Sequence, residues 1–316
     1  MRIQKPCFHA TFRIGALRTT PRSDLVICQM LAAGHSRRNM AEVILQGAAL
    51  NPAIAREAAH LGGAQTFRFP HPTVARLSGV ADLQRLEGFG QRHHLDVTHL
   101  KCPLRTQDFR VLAMDMDSTL ITIECIDEIA DRVGVKPQVA AITEAAMRGE
   151  IDFPGALRQR VALLAGLDVS ALEWVYDERL RLSSGAERLL TFARDSGWKT
   201  LLVSGGFTFF ADRLKARFGL DFSLANTLEI EGGRLTGRVT GPIIDGDAKA
   251  AEVQRVCQIL ECPTTAAVVL GDGANDLKMM ALGGWSVAYH AKPVVQARAD
   301  MALNFNGFEA VVNLFE

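Results

Sequence analysis

From residue 40 to residue 104, apolar and polar positions alternate in a pattern that predicts six short elements. The predicted strands are residues 41–46, 66–69, 73–77 and 95–100. One predicted helix covers residues 52–61, opened by a proline and closed by Gly62-Gly63. A second covers residues 81–92, with apolar residues at helical spacing. The order β-α-β-β-α-β predicts a small α+β domain of ferredoxin-like fold over residues 40–104.

This element order resembles that of the small amino-acid-sensing ACT modules. Paired ACT-like modules often build effector sites or dimer interfaces between subunits. The resemblance therefore implies an inhibitory amino-acid site in this domain, or a homodimer formed through it.

Beyond a linker at residues 101–108, apolar strands alternate with helical stretches. Strands are predicted at residues 109–114, 200–203, 266–270 and 285–288. Such alternation predicts an α/β, Rossmann-like doubly wound parallel sheet with helices on both faces. Residues 126–182 are mostly helical in pattern and rich in charge, so we expect an inserted helical cap at about residues 124–185 of a domain spanning residues 105–316.

Composition narrows the class of protein. With 316 residues, 48% hydrophobic and 22% charged, the chain is too apolar for a disordered protein. Its six cysteines show no paired CxxC or CxxH spacing, which argues against a zinc site or a disulfide scaffold and favours a reducing cytoplasm. No uncharged apolar run approaches the ~18 residues that span a membrane, and no signal peptide is recognisable.

Residues 1–39 carry seven basic side chains and one acid, while residues 109–316 carry 21 basic and 28 acidic groups. A basic, acid-poor N-terminus is compatible with a transit peptide or with contact to nucleic acid or membrane. Without aromatic interleaving or a basic helix face, we expect no nucleic-acid partner. We favour a poorly ordered tail, or residues upstream of the natural start.

Three of the four strands predicted in the larger domain end in polar or glycine-rich clusters. In an open parallel sheet, ligands bind outside the carboxyl ends of the strands. The residues expected to meet at this rim are Asp115, Asp117, Ser204, Gly205, Asp272 and Asn275.

Asp115 and Asp117 stand at i and i+2, so continued strand geometry would point both carboxylates to one side. Like charges this close repel, and one proton is then held more tightly. That separates the roles into one ionised nucleophile or ligand and one proton donor. The alternative is an ordinary turn at the end of a strand.

The sequence Gly271-Asp-Gly-Ala-Asn-Asp276 contributes further carboxylates. With Asp115 nearby, Asp272 would complete a pocket of hard oxygen ligands that suits Mg²⁺ better than zinc. The alternative is an Asx-type loop followed by a helix N-cap.

Ser204 and Gly205 offer a hydroxyl and backbone N–H groups at the start of a helix, where anions bind well. Lys249 opens a helix predicted at residues 248–260 and could reach a phosphate as a point charge. The ordinary alternatives are a plain strand-to-helix turn and a solvated surface lysine.

The four motifs DxDST, SGG, a lone lysine and GDGxND occur in this order, which resembles the haloacid dehalogenase-like phosphatases. The resemblance implies that Asp115 is the nucleophile and Asp117 the general acid and base. It implies Mg²⁺ held by Asp115, the backbone carbonyl of Asp117 and Asp272. The phosphate ligands so implied are Ser204, Gly205, Lys249 and Asn275. Asp276 would orient water or Lys249 without contacting the substrate itself.

The segment after the first motif resembles the helical cap of phosphoserine phosphatases, through ITIECID at 121–127 and MRGEIDF at 147–153. This implies a small-molecule substrate, O-phospho-L-serine, in the last step of L-serine synthesis. The implied substrate-binding residues are Glu124, Met147, Phe153 and Arg160. Without the resemblance, all four would be explained as ordinary solvated or core residues. Cys125 has no local partner for nucleophilic chemistry and is expected to be a small buried residue.

Two competing hypotheses stay open at this point. One is a related enzyme that acts on another small phosphate ester, or passes phosphate to another alcohol. The other is a non-catalytic sensor, which predicts at least one damaged catalytic position, whereas the four motifs are intact.

Overall fold

The computed structural model describes residues 41–315. The basic segment predicted over residues 1–39 lies outside the described residues. Within residues 41–315, no helix is both long and apolar enough to cross a membrane. The described chain forms two β-sheets, one of four strands and one of seven.

The four-stranded sheet has the order β2-β3-β1-β4, and its neighbouring strands are antiparallel. Its strands are β1 (Glu42–Gln46), β2 (Thr66–His71), β3 (Val74–Ser78) and β4 (Asp96–Leu100). Its helices are α1 (Pro52–Leu61) and α2 (Leu83–His93). The element order and the ferredoxin-like arrangement match the sequence prediction, with boundaries shifted by one or two residues.

Strand β1 shows why its sequence is apolar without interruption. Val43 and Leu45 point into a core shared with the two helices. Ile44 points the other way, into the main core of the chain. Because both faces of the strand are buried, three consecutive positions must be apolar.

The seven-stranded sheet has the order β11-β10-β9-β5-β6-β7-β8 and is parallel except for the last pair. Its strands are β5 (Val111–Met114), β6 (Lys199–Phe207), β7 (Phe222–Glu231), β8 (Arg234–Thr240), β9 (Ala267–Gly271), β10 (Trp285–Tyr289) and β11 (Met301–Leu303). The sequence predicted β5, β6, β9 and β10, and it missed the hairpin β7-β8 and the short β11.

Helices cover both faces of this sheet, as a doubly wound fold requires. On β5, Leu112 and Met114 enter one core cluster, and Val111 and Ala113 enter the other. The helices outside the cap are α7 (Ala186–Asp195), α8 (Thr208–Phe218), α9 (Gly246–Ile259), α10 (Leu277–Met280), α11 (Pro293–Gln296) and α12 (Glu309–Val312).

A helical insertion leaves the sheet after β5 and returns before α7. It contains α3 (Cys125–Arg132), α4 (Lys136–Met147), α5 (Phe153–Ala162) and α6 (Ser170–Trp174). An isolated antiparallel bridge between Ile121 and Leu182 joins the two ends of the insertion.

The small sheet is fastened to the large one by a buried carboxylate. Asp96, 2% exposed at the start of β4, accepts backbone hydrogen bonds from Asn304 at 2.8 Å and Asn306 at 3.0 Å. The Asn306 side chain donates a further bond of 2.7 Å to it. These donors follow β11, so one side chain holds the loop at the edge of the parallel sheet.

Candidate active site

The carboxyl ends of β5, β6 and β9 form one rim of the seven-stranded sheet. Asp115 directly follows β5, Ser204 and Gly205 lie near the end of β6, and Asp272 directly follows β9. Since β5 is paired in parallel with both β6 and β9, these three strand ends are neighbours. The rim residues expected from sequence therefore lie on adjacent strands.

Lys249 is the centre of a buried ion cluster at this rim. Its Nζ lies 2.7 Å from Asp115 Oδ1 and 2.8 Å from Asp276 Oδ1, and its side chain is fully buried. Burial alone would lower the pKa of Lys249, but the two carboxylates outweigh it and hold the pKa above its usual range. Lys249 is therefore a permanent cation here and not a solvated surface lysine.

The nucleophile candidate Asp115 is 5% exposed. Burial, followed by the charge of Asp276, raises its pKa above the usual range, while the Lys249 ammonium acts in the opposite direction. A cation bound beside Asp115 would act in the same sense as Lys249 and favour the ionised form.

Three carboxylates at the rim could hold a metal ion. One oxygen each from Asp115, Asp272 and Asp276 lie within 4.8 Å of one another. Thr119 donates a hydrogen bond of 3.2 Å to Asp272, and burial together with the Asp276 charge raises the pKa of Asp272 to about 6. Three acidic groups around a single lysine leave excess negative charge. An all-oxygen set of this kind fits a hard divalent cation such as Mg²⁺.

Asp117 is held between the cap and the sheet. Its Oδ1 accepts from the backbone N–H of Cys125 at 3.0 Å, and its Oδ2 accepts from Ser204 Oγ at 3.4 Å. Burial raises the pKa of Asp117, although hydrogen bonds from the thiol and the backbone N–H of Cys125 oppose the shift. Asp117 therefore retains its proton more strongly than an exposed aspartate would, which suits a general acid.

Cys125 begins α3 and is 1% exposed. Burial and the charge of Asp117 raise the pKa of its thiol well above the usual range, so it stays protonated. The expectation of a small buried residue, and not a nucleophile, agrees with this environment.

The glycines after Ser204 bring backbone close to the acids. The N–H of Gly206 donates a hydrogen bond of 2.8 Å to Ser204 Oγ. A Cβ on Gly206 would collide with the Asp117 carboxylate, so any larger residue at that position would displace this carboxylate. Asn275 lies in a turn after β9 and is half-buried at the same rim.

Glu124 and Arg160 face the rim from the cap. Ser118 Oγ donates a hydrogen bond of 2.7 Å to Glu124 Oε1. Glu124 reaches solvent, yet desolvation of its carboxyl followed by the charge of Asp117 raises its pKa to about 7. Burial lowers the pKa of Arg160, while Asp127 and Glu124 act against the shift. An acid and a guanidinium therefore stand close together above the carboxylates.

The two apolar cap residues differ in placement. The Phe153 ring lies against the backbone at Gly205, with Cζ 3.0 Å from where a Cβ on Gly205 would be. Met147, at the end of α4, is 65% exposed, and its Sδ lies 3.6 Å from Lys292 Nζ. In this arrangement of the cap, Phe153 covers the rim and Met147 lies at the outer surface.

Three polar residues that the sequence motifs did not single out support this site. Ser118 contacts Glu124, Thr119 contacts Asp272, and Asn226 on β7 contacts the backbone of Gly205. Ser118 and Thr119 belong to the DxDST motif, so their position was a usable signal. Asn226 lies in no motif, and only the folded structure connects it to the site.

Comparison with known proteins places this arrangement in a family. Residues 112–281 match the family described as haloacid dehalogenase-like hydrolase. Phosphoserine phosphatase from Polaromonas sp. (strain JS666 / ATCC BAA-500) is 52% identical over 216 residues, covering 67% of this chain and 92% of the relative.

Two solved structures extend the comparison. A probable phosphoserine phosphatase from Vibrio cholerae, in unliganded form, has a TM-score of 0.74 and 36% identity, covering 88% of this chain and 86% of that chain. A phospho-aspartyl intermediate analogue of phosphoserine phosphatase has a TM-score of 0.62 and 33% identity, covering 66% of this chain and 99% of that chain. The chain therefore belongs to the haloacid dehalogenase-like hydrolases and, among them, to the phosphoserine phosphatase family.

Proposed function

We propose that this chain is a Mg²⁺-dependent phosphoric monoester hydrolase that converts O-phospho-L-serine to L-serine and phosphate. The observation that carries the proposal is the pairing of two acids with different surroundings at one rim. Asp115 contacts the Lys249 ammonium at 2.7 Å. Asp117 is held by Cys125 and Ser204 instead.

In the first step, a carboxylate oxygen of Asp115 attacks phosphorus and forms an aspartyl phosphate. The bond between phosphorus and the serine oxygen breaks at the same time, and Asp117 gives its proton to the departing oxygen. The structure described as a phospho-aspartyl analogue in a 33% identical relative supports this covalent route.

In the second step, Asp117 acts in reverse as a base. It takes a proton from a water molecule, whose oxygen attacks the phosphorus of the acyl phosphate. Inorganic phosphate leaves and the carboxylate of Asp115 is restored. One group can serve in both steps because it ends the first step deprotonated.

The residues present fit a divalent cation, which Asp115, Asp272 and the backbone carbonyl of Asp117 would hold. When bound, Mg²⁺ offsets the repulsion between the attacking carboxylate and the anionic phosphate. The chain's own phosphate ligands would be Ser204, Gly205, Lys249 and Asn275. They would stabilise the negative charge on the phosphate oxygens. Asp276 would orient Lys249, which it contacts at 2.8 Å.

Selectivity for phosphoserine would come from the cap. The substrate carries an ammonium and a carboxylate on one carbon, and Glu124 and Arg160 offer the opposite charges. A guanidinium can bind a carboxylate in bidentate fashion. Phe153 would exclude water above the reacting phosphate, with Met147 contributing when the cap closes further.

The wider context is also proposed. Release of L-serine fits the last step of L-serine biosynthesis. Cys125 and Cys257 are buried free thiols, a state typical of a reducing cytoplasm. We divide the chain into an ACT-like domain at 40–104 and a phosphatase domain at 105–316 with its cap at about 124–185. A core formed only by residues 43–97 supports this division, while Ile44, Val74 and Leu100 pack into the core of the second domain. A homodimer through the first domain, and serine feedback there, stay predictions.

The test measures phosphate release from O-phospho-L-serine, from a panel of small phosphate esters and from an aryl phosphate, with Mg²⁺ and with excess EDTA. We expect metal-dependent turnover that favours phosphoserine. Faster turnover of another ester than of phosphoserine would favour a related phosphatase. It would contradict the assignment of Glu124 and Arg160 as residues that bind phosphoserine. Absence of turnover on every ester would favour the sensor hypothesis.

A further inference from the structure

The side chain of Asn226 joins two segments that lie far apart in the chain. Its Nδ2 donates a hydrogen bond of 2.8 Å to the backbone carbonyl of Gly205. Its Oδ1 accepts one of 2.9 Å from the backbone N–H of Ile244. Asn226 is 2% exposed, and its bond with Ile244 is buried while its bond with Gly205 is partly buried.

The Gly205 carbonyl needs a side-chain partner because the strand pairing is irregular there. Val203 pairs with Leu224 and Phe207 pairs with Asn226. Between these pairs, the three residues 204–206 of β6 lie opposite the single residue 225 of β7. The extra residues bulge out of the regular ladder, which leaves their backbone groups to find other partners. The Asn226 amide supplies a donor to the bulge.

The Ile244 bond fixes the start of α9. Ile244 precedes Asp245, the N-cap residue, whose side chain accepts from the N–H of Ala248 at 2.9 Å. The backbone carbonyl of Asp245 accepts from the N–H of Lys249 at 2.9 Å. A shift of Ile244 would therefore move the first turn of α9, which carries Lys249.

The two segments also lie close together. A Cβ added to Gly205 would lie 3.7 Å from the Ile244 carbonyl oxygen, so the space between the bulge and the segment before α9 is about that of one methyl group. We infer that Asn226 is a positioning residue, which sets the distance between the Gly205 loop and Lys249. This inference rests on the proposed function to the extent that Gly205 and Lys249 bind phosphate oxygens.

The test uses the full-length Asn226→Asp variant, which has nearly the same shape. It keeps an acceptor for the Ile244 N–H but replaces the donor facing Gly205 with an oxygen. Asn313→Asp is the matched control, because Asn313 donates a hydrogen bond of 2.8 Å to Gln46, away from the rim. Affinities for inorganic phosphate in Mg²⁺, and for Mg²⁺ alone, are measured by calorimetry.

We expect Asn226→Asp to weaken phosphate binding about tenfold, as for one lost buried hydrogen bond, and to leave the Mg²⁺ affinity unchanged. Asn313→Asp should bind phosphate like the wild type. A purely structural role would lower the melting temperature without changing phosphate affinity in the folded protein. Unchanged phosphate affinity in Asn226→Asp would therefore overturn the inference.

Inorganic phosphate also separates this inference from the proposed function. If the wild type binds phosphate but does not hydrolyse phosphoserine, the proposed function fails. The phosphate affinities of the wild type and Asn226→Asp then still decide whether Asn226 is a positioning residue. If the wild type binds no phosphate, the inference fails too. Should Asn226→Asp be insoluble, Asn226→Ser, which has a smaller side chain, is measured under the same criteria.

Discussion

The Lys249 ammonium lies 2.7 Å from the Asp115 carboxylate, in a site where the lysine side chain is fully buried. Asp276 completes the contact on the other side at 2.8 Å. Lys249 is thus surrounded by acids before any phosphate arrives. In the mechanism proposed above, this cation would hold Asp115 in place and bind a phosphate oxygen of the substrate.

Replacing Lys249 with methionine should therefore damage both stability and turnover. Two buried carboxylates would lose their counter-ion, which typically costs about 3–5 kcal/mol. We expect urea denaturation to show a loss of this order, together with at least a hundredfold slower turnover, about what a lost charge-stabilising group costs. Lys278→Met is the control, since its ion pair with Asp247 is exposed and should contribute about 1 kcal/mol or less.

Asp115→Asn should abolish turnover without abolishing binding. An amide cannot form the acyl phosphate, so we expect a loss of at least about a thousandfold in kcat. Calorimetry should still detect phosphoserine in the presence of Mg²⁺. Asp131→Asn, a change at an exposed ion pair of the cap, should be nearly neutral. Normal turnover by Asp115→Asn would refute the assigned nucleophile.

The pKa of Glu124, raised to about 7 by desolvation and by Asp117, predicts a pH-dependent selectivity. Below this pH the free enzyme carries a neutral Glu124, which attracts the substrate ammonium less strongly. KM for phosphoserine should therefore rise as the pH falls through about 7.

An aryl phosphate provides the control for this prediction, since its phosphate also titrates near pH ~6 but it carries no ammonium. Its KM should follow only the phosphate titration. In Glu124→Gln the difference between the two pH profiles should disappear. A difference that persists in this variant would assign the effect to another group.

Asp96→Asn should loosen the small sheet from the large one. Asp96 accepts charge-assisted bonds from Asn304 and Asn306, and losing that charge should cost about 1.5–3 kcal/mol. Urea denaturation measures the loss, and kcat should stay unchanged because Asp96 lies outside the rim. Asp195→Asn, at a residue that is 72% exposed, should change stability by no more than about 0.5 kcal/mol. Equal stability of the two variants would contradict the proposal that Asp96 holds the two sheets together.

The parts of the fold that sequence predicted well have a local physical signal. Strand β9 is an unbroken apolar run ending in a glycine and an acid, so it could be placed within one residue. The hairpin β7-β8 was missed because it lies at the edge of the sheet, where exposed and buried positions mix. Edge strands of this kind have neither continuous apolar character nor clean alternation.

The same distinction applies to the site. Asp115, Ser204 and Asp272 could be predicted because each directly follows or ends an apolar strand. Asn226 could not, because its importance depends on two backbone groups that meet it only after folding. Met147 shows that a motif match can also mislead. The match predicted that Met147 covers the site, but its side chain is 65% exposed in this structure.

A single-turnover experiment tests directly whether Asp115 forms an aspartyl phosphate. The protein is mixed with phosphoserine carrying a radioactive phosphate group, quenched rapidly in acid and digested to peptides. We expect a transient covalent label on the peptide that contains Asp115, dependent on Mg²⁺ and absent in Asp115→Asn. Label on another peptide, or full phosphate release with no labelled peptide at any time, would contradict it.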